Sequence, residues 1–184
     1  VVAARSGGDE VVVWAADYDE EDRFAPAESI ETLPGGGWRN YVRGMVALLV
    51  GEGVPVSGMQ LSIAGDVPQG AGLSSSASLE VAVGLAVSAL AGTELDPTRL
   101  ALIAQRAENE YAGCACGIMD QLVSARAEAG HALLIDCRSL ECRSVPVPEE
   151  LRVLIIHSGV AHQNTDGSYN ERRRQCEQAA AHFA

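Results

Sequence analysis

The chain has 184 residues, long enough for one domain with a real core or for a piece of a larger one. A hydrophobic content of 47% excludes wholesale disorder, and with only 4% aromatic residues the core must rest on Val, Leu, Ile and Ala. The net charge of −12 argues against nucleic acid or an anionic membrane as partner, and no apolar run reaches the ~18–20 residues needed to span a bilayer. In chain order, Val1–Ala4 and Val11–Ala15 flank a Gly-Gly turn and predict a hairpin. The acidic run Asp17–Asp22 predicts a solvated loop without catalytic meaning. Apolar residues at helical spacing predict a helix over Trp38–Val50, and Met59–Ala64 reads as a strand. An apolar helix runs from Leu79 to about Ala91, and Gly84 in its middle implies close packing. Asp96-Pro97 is a capped helix start, leading to about Tyr111. After a turn at Gly113–Gly117, a helix is expected from about Ile118 to Ala127. His131–Asp136, Cys142–Val147 and Arg152–His157 then predict an antiparallel meander, because their connections are too short for parallel crossovers. A last helix is expected from Tyr169 to Ala184. Helices and strands come in separate groups, which predicts the α+β class.

No signal-peptide pattern opens the sequence, and its five cysteines are odd in number, so a cytoplasmic protein with reduced thiols is expected. Cys114-Ala-Cys116 lacks the second pair that a zinc site needs. Val1 stands in an apolar run without an initiating Met, and the last helix has no terminator, so both ends read as cut from a longer protein.

The segment Pro68–Ser78 is the most informative. Glycines at 70 and 72 follow a strand, and Ser74, Ser75 and Ser76 stand where a helix begins. Helix N-termini carry unpaired N–H groups and a positive dipole end, and glycine lets backbone approach a phosphate closely. Serine adds donors and a hard oxygen for Mg²⁺. The segment is not a P-loop, since no Gly-Lys-Ser/Thr follows the glycines, nor a dinucleotide fingerprint, since Ser stands at the third glycine. Glycine and serine are also ordinary turn and capping residues. On spacing alone Glu108 reads as a surface helix residue and Asp120 as an early-turn partner of the helix dipole.

Pro-x-x-x-Gly-Leu-Ser-Ser-Ser-Ala-Ser (68–78) resembles the second motif of the GHMP kinases. Ala107–Gly113, Cys116–Gln121, Leu134–Leu140, Trp38–Gly44 and Ser168–Arg173 resemble galactokinase motifs, in the expected order through nearly the whole chain. The resemblance implies a GHMP-kinase-like fold of the ribosomal protein S5 domain 2 type, with a mixed or antiparallel sheet and packed helices, truncated at both ends. It implies an N-terminal ATP-binding domain over 1–150, incomplete at its start, and the beginning of a C-terminal domain over 151–184. The implied activity is ATP-dependent phosphorylation of galactose at its anomeric hydroxyl, with ATP and Mg²⁺ as cofactors and a monomeric full-length enzyme.

By the same resemblance, Asp120 is the catalytic carboxylate facing the anomeric hydroxyl, and Gly117, Asp120 and Tyr169 meet the sugar. Ser76 and Glu108 hold Mg²⁺, while Gly70, Gly72, Ser74, Ser75 and Ser76 cradle the phosphates. Trp38 and Tyr41 match aromatics near the adenine, although a buried helix face is their simpler reading. The family's N-terminal signature, with its catalytic-site arginine and most sugar ligands, and its C-terminal glycine-rich motif are both absent. His157-Ser158-Gly159-Val160-Ala161-His162 replaces the commoner Asn-Ser-Asn-Val-x-His, which leaves open a kinase for N-acetylgalactosamine or arabinose. A sugar and ATP sensor without turnover is a further alternative.

Overall fold

The computed structural model describes residues 1–156, 159 and 168–183. Strands β1 (Val2–Arg5), β2 (Val11–Ala15), β3 (Glu20–Phe24) and β4 (Met59–Ile63) form one sheet in the order β1-β4-β2-β3. β4 runs antiparallel to β1 and parallel to β2, whereas β2 and β3 are antiparallel. The first expected hairpin is thus corrected: β4 lies between β1 and β2, and Val11–Ala15 forms its hairpin with Glu20–Phe24. Burial explains the choice. Val11, Val13 and Ala15 of β2 stand in register with Met59, Leu61 and Ile63 of β4, and all six are buried on one face. The mostly exposed β1 can only cover an edge.

The acidic stretch is the expected solvated turn only over Asp17–Asp19. Its second half is β3, and strand alternation puts Asp22 on the same side as buried Phe24. There Asp22 meets the equally buried Arg43 in a two-pronged pair, Nε to Oδ2 and Nη2 to Oδ1, both 2.8 Å. Arg43 also donates through Nη1 to the Glu31 carbonyl at 2.9 Å, and its guanidinium lies 5.1 Å from the Phe24 ring centroid. In the preceding turn, Asp17 Oδ2 accepts from the Gly65 N–H at 2.9 Å and the Tyr18 hydroxyl donates to Gln69. Both contacts tether the segment that leads into the glycine-rich loop.

Helices α1 (Trp38–Gly51), α2 (Ser75–Ala91), α3 (Pro97–Ala107) and α4 (Met119–Arg126) pack together, and α5 (Ser168–Phe183) follows later in the chain. Met45 and Leu49 of α1 share one core with Val13 and Leu61 of the sheet and with Val83 and Val87 of α2. Gly84 has the close contact its position implied: a Cβ there would lie 2.5 Å from Leu100 Cδ1 and 2.7 Å from Met45 Cε. Asp96 caps α3 by accepting from the Thr98 and Arg99 N–H groups, with Pro97 in the first turn. A π-helical turn, Glu108–Ala112, takes over where the longer α3 was expected to continue. Strands β5 (His131–Ile135) and β6 (Cys142–Pro146) form a separate antiparallel pair.

The third strand of the expected meander is corrected as well. Residues 152–156 are not assigned to a strand, and His157 lies outside the described residues. Val153, Leu154, Ile155 and Ile156 are all exposed, Val153 to 86%. A strand needs a pairing edge as well as β-branched residues, and none of the described strands pairs with this run. The overall class is the expected α+β, with a small mixed sheet and, among the described residues, five α-helices.

Removing one partner of the Asp22–Arg43 pair strands a buried charge, so Asp22→Ala should cost about 3–5 kcal/mol of stability. The double variant Asp22→Ala/Arg43→Met should recover part of that loss. Urea unfolding midpoints of the single and double variants check both expectations.

Candidate active site

The glycine-rich loop leads directly into α2, and the helix begins earlier than its apolar pattern suggested, so Ser75 and Ser76 form its first turn. Gly70, Gly72 and Ser74 all have left-handed backbones, with φ of 65°, 71° and 58°. Left-handed residues at alternate positions bend a chain so that its amides can converge on an anion. Ser74 is held there despite its Cβ, a strained conformation for a residue other than glycine. Its side chain makes no capping hydrogen bond, and no acidic residue stands in the first turn. The start of α2 therefore keeps its positive end without an internal counter-charge.

Below that turn lies a cluster of buried polar groups. Glu80 of α2 and Gln121 of α4 are 0% exposed, and Glu108, at the start of the π-helical turn, is 3% exposed. Gln121 Nε2 donates to Glu108 Oε2 at 2.7 Å and to Glu80 Oε2 at 3.3 Å. The Cys116 thiol approaches the same Glu108 oxygen at 3.5 Å. Burial drives the Glu80 carboxyl well above its ordinary 4.5; the nearby Glu108 charge adds to the rise and the Gln121 hydrogen bond opposes it. Burial, and then Glu108 and Glu80, push the Cys114 thiol up to about 11, with a lesser contribution from Asp120. The Cys116 thiol is raised too, first by burial and then by Glu108. Both thiols stay protonated at neutral pH, which makes them poor nucleophiles and poor metal ligands.

Ser76 and Glu80 are four residues apart on α2 and share a face, one helical turn of about 6 Å between them. The half-buried Ser76 thus stands over the cluster that contains Glu108. Among the described residues no three His, Cys, Asp or Glu side chains gather as a metal cage. A serine hydroxyl with one carboxylate still suits Mg²⁺, which takes few protein oxygens and completes its shell with phosphate and water.

Asp120 precedes Gln121 in the first turn of α4. About 100° of helix rotation separates the two, so Gln121 points into the cluster while Asp120 stays half-exposed beside it. Gly117 is exposed, and a Cβ there would meet nothing within 4 Å. The turn that carries Gly117 is fastened by α5. Asn170 accepts from the Ala115 N–H at 2.8 Å and donates to the Gly113 carbonyl at 2.9 Å, and Arg173 donates to the Ala115 carbonyl at 2.7 Å. Tyr169, next to Asn170, is 47% exposed. Trp38 is buried in the core and donates through Nε1 to Glu20 Oε2 at 2.9 Å, while Tyr41 is half-buried. The His157–His162 segment lies outside the described residues except Gly159.

Glu80, Gln121, Asn170 and Arg173 were given no role from the sequence. Glu80 had a signal: it is the lone charged residue in the apolar helix Ser75–Ala91. Asn170 and Arg173 lie in the Ser168–Arg173 motif, but nothing local marks their backbone partners, which are more than 50 residues away.

Residues 40–128 match the family described as GHMP kinases N terminal domain. Among solved structures, the chain is similar to the galactokinase of Lactococcus lactis complexed with galactose, at 30% identity and a TM-score of 0.82, over 96% of this chain and 46% of that one. The mevalonate kinase of Methanococcus jannaschii matches at 21% identity and a TM-score of 0.60, over 67% of this chain and 39% of that one. The D-glycero-D-manno-heptose 1-phosphate kinase of Bacteroides thetaiotaomicron matches at 15% identity and a TM-score of 0.63, over 80% and 47%. The last two likenesses concern the fold alone. The chain spans less than half the length of each of these proteins. No helix among the described residues is long and apolar enough to cross a membrane.

The raised Glu80 carboxyl gives a pH prediction. Below the unfolded value near 4.5 both states are protonated and Glu80 costs nothing. As pH rises above it, the unfolded chain ionises first, so this contribution to stability is lost up to the higher folded value. Glu80→Gln, which cannot ionise, should gain on wild type steadily as pH rises above ~5. Chemical denaturation of both proteins across that range checks the slope.

Proposed function

We propose that this chain, which belongs to the GHMP kinases, is part of a kinase that moves the γ-phosphoryl group of ATP to the anomeric hydroxyl of galactose. The observation that carries this reading is the 2.7 Å bond from Gln121 to Glu108, which brings the Asp120 end of α4 beside a buried carboxylate below the serine-rich start of α2. A phosphate cradle, a hard-oxygen ligand and an acceptor for a proton are the parts that phosphoryl transfer needs. We assign residues 1–150 to the ATP-binding domain and 151–184 to the start of the C-terminal domain.

In this reading the N–H groups of Gly70–Ser76 hold the triphosphate against the positive end of α2. Ser76 and Glu108 hold Mg²⁺, which would neutralise charge on the phosphates. Gly117, without a side chain, lets the sugar approach the turn, and Tyr169 covers it from α5. Tyr41 and Trp38 are placed on the adenine side. Asp120 orients the anomeric hydroxyl and takes its proton as the oxygen attacks the γ-phosphorus. A new O–P bond forms, the bond to the bridging β–γ oxygen breaks, and ADP leaves with that electron pair. Galactose is favoured as the acceptor because the 30% identical Lactococcus protein is a galactokinase complexed with galactose.

Asp120→Asn in the full-length protein should lower kcat by about 10²–10⁴-fold or more while nucleotide binding is retained. Coupled-assay kinetics with ADP titration calorimetry measure both, and near-normal kcat would remove Asp120 from its role. A panel of galactose, N-acetylgalactosamine and arabinose, compared by kcat/KM, decides the sugar. Galactose binding with no ADP release would turn the assignment to a sensor.

A further inference from the structure

We propose that Gln121, seated on Glu80, is a positioning residue that sets the carboxylate of Glu108 for Mg²⁺. This rests on the assignment of Glu108 as a metal ligand made above. The Gln121 amide has two N–H groups, and both are directed to carboxyl oxygens, one on Glu108 and one on Glu80. The opposite amide orientation would set Gln121 Oε1 against the Glu108 oxygen at 2.7 Å, and with Glu108 taking one N–H the amide's second N–H is received by Glu80 Oε2. Glu80 thereby fixes Gln121, and Gln121 fixes Glu108. The Cys116 thiol, with a single S–H, lies within reach of both Glu108 Oε2 at 3.5 Å and Asn109 Oδ1 at 3.4 Å.

The cluster is incompletely satisfied. Gln121 Oε1 and Glu80 Oε1 are both buried with no hydrogen-bond partner among the described residues. Only joint replacement of Gln121 and Glu80 by apolar side chains would remove those two unsatisfied atoms, and it would still take from Glu108 its 2.7 Å donor. The buried amide and acid supply direction to a third group. That group leads toward the half-buried Ser76, one turn up α2 from Glu80, at the mouth of the phosphate cradle. Polar groups behind a metal ligand commonly tune affinity for the ion.

The test uses the full-length protein and reads ADP affinity by calorimetry with and without Mg²⁺, beside unfolding midpoints. Gln121→Met should reduce the Mg²⁺-dependent gain in ADP affinity about 10–100-fold. Its unfolding midpoint should fall, because two buried carboxyl oxygens lose their donor, but its metal-free ADP affinity should stay within about twofold, a pattern unlike general loss of structure. Glu80→Leu should lose part of the same gain, whereas Glu80→Gln, which keeps a carbonyl oxygen for the Gln121 N–H, should restore it. If Gln121→Met fails to fold, the Glu80→Leu and Glu80→Gln pair carries the test. Glu108→Gln separates the two readings. If it loses the Mg²⁺ effect while Gln121→Met and Glu80→Leu keep it, the positioning role is overturned and the ligand role stands. If Glu108→Gln keeps the Mg²⁺ effect, the ligand assignment falls and takes this inference with it.

Discussion

One side-chain amide ties together the three segments on which the site depends. Gln121 comes from α4, Glu80 from α2 and Glu108 from the π-helical turn, and the amide donates to both carboxyls at 2.7 and 3.3 Å. In a low-dielectric interior such bonds are strong, and unsatisfied partners are costly, so the three segments cannot shift independently. The start of α2 with its serines, the Asp120 end of α4 and Glu108 thus form one unit.

Local geometry prepares that meeting. The π-helical turn changes the winding at the end of α3, so that Glu108 faces inward while Asn109 and Glu110 do not. Gly44 lets this turn lie against α1: a Cβ there would stand 2.9 Å from both Cβ and Cγ of Tyr111. π-Turns interrupt α-helices most often at functional sites. Asp22 and Arg43 manage burial differently. They neutralise each other in a two-pronged pair, and the Glu31 carbonyl takes a further guanidinium N–H. Among the described residues no cation meets the Glu80 carboxyl, and burial raises its pKa instead. The first arrangement fastens sheet to helix; the second leaves a polar group directed at the site.

The α5 contacts add a long-range element. Asn170 copies the donor and acceptor of a peptide group and pairs with Gly113 and Ala115 as a short strand would. Arg173 secures the same turn, so a helix more than 50 residues away sets the turn that carries Gly117. By contrast, Leu151 and Val153–Ile156 present aliphatic side chains to solvent. A run of that kind is a surface suited to a further strand or layer.

The sequence by itself determined the local features. Asp96-Pro97 starts α3 because capping and a fixed φ act within one turn, and Gly84 announces close packing because glycine is costly in a helix without it. The serine-rich loop before an apolar helix is equally local, and so was the candidate phosphate cradle, together with the motif that carries Asp120. Tertiary structure alone decided the partners. Pairing β4 between β1 and β2, and not β1 with β2, follows from which strands share a buried face, a property of the assembled layers. The acidic run became half strand because Arg43, 21 residues on, received Asp22. Glu80 and Gln121 became a pair only when two helices met, 41 residues apart in the chain. Hydrogen bonds at that separation leave no periodic trace in sequence, since each residue's local spacing fits a plain helix face, and only packing brings the donors to their acceptors.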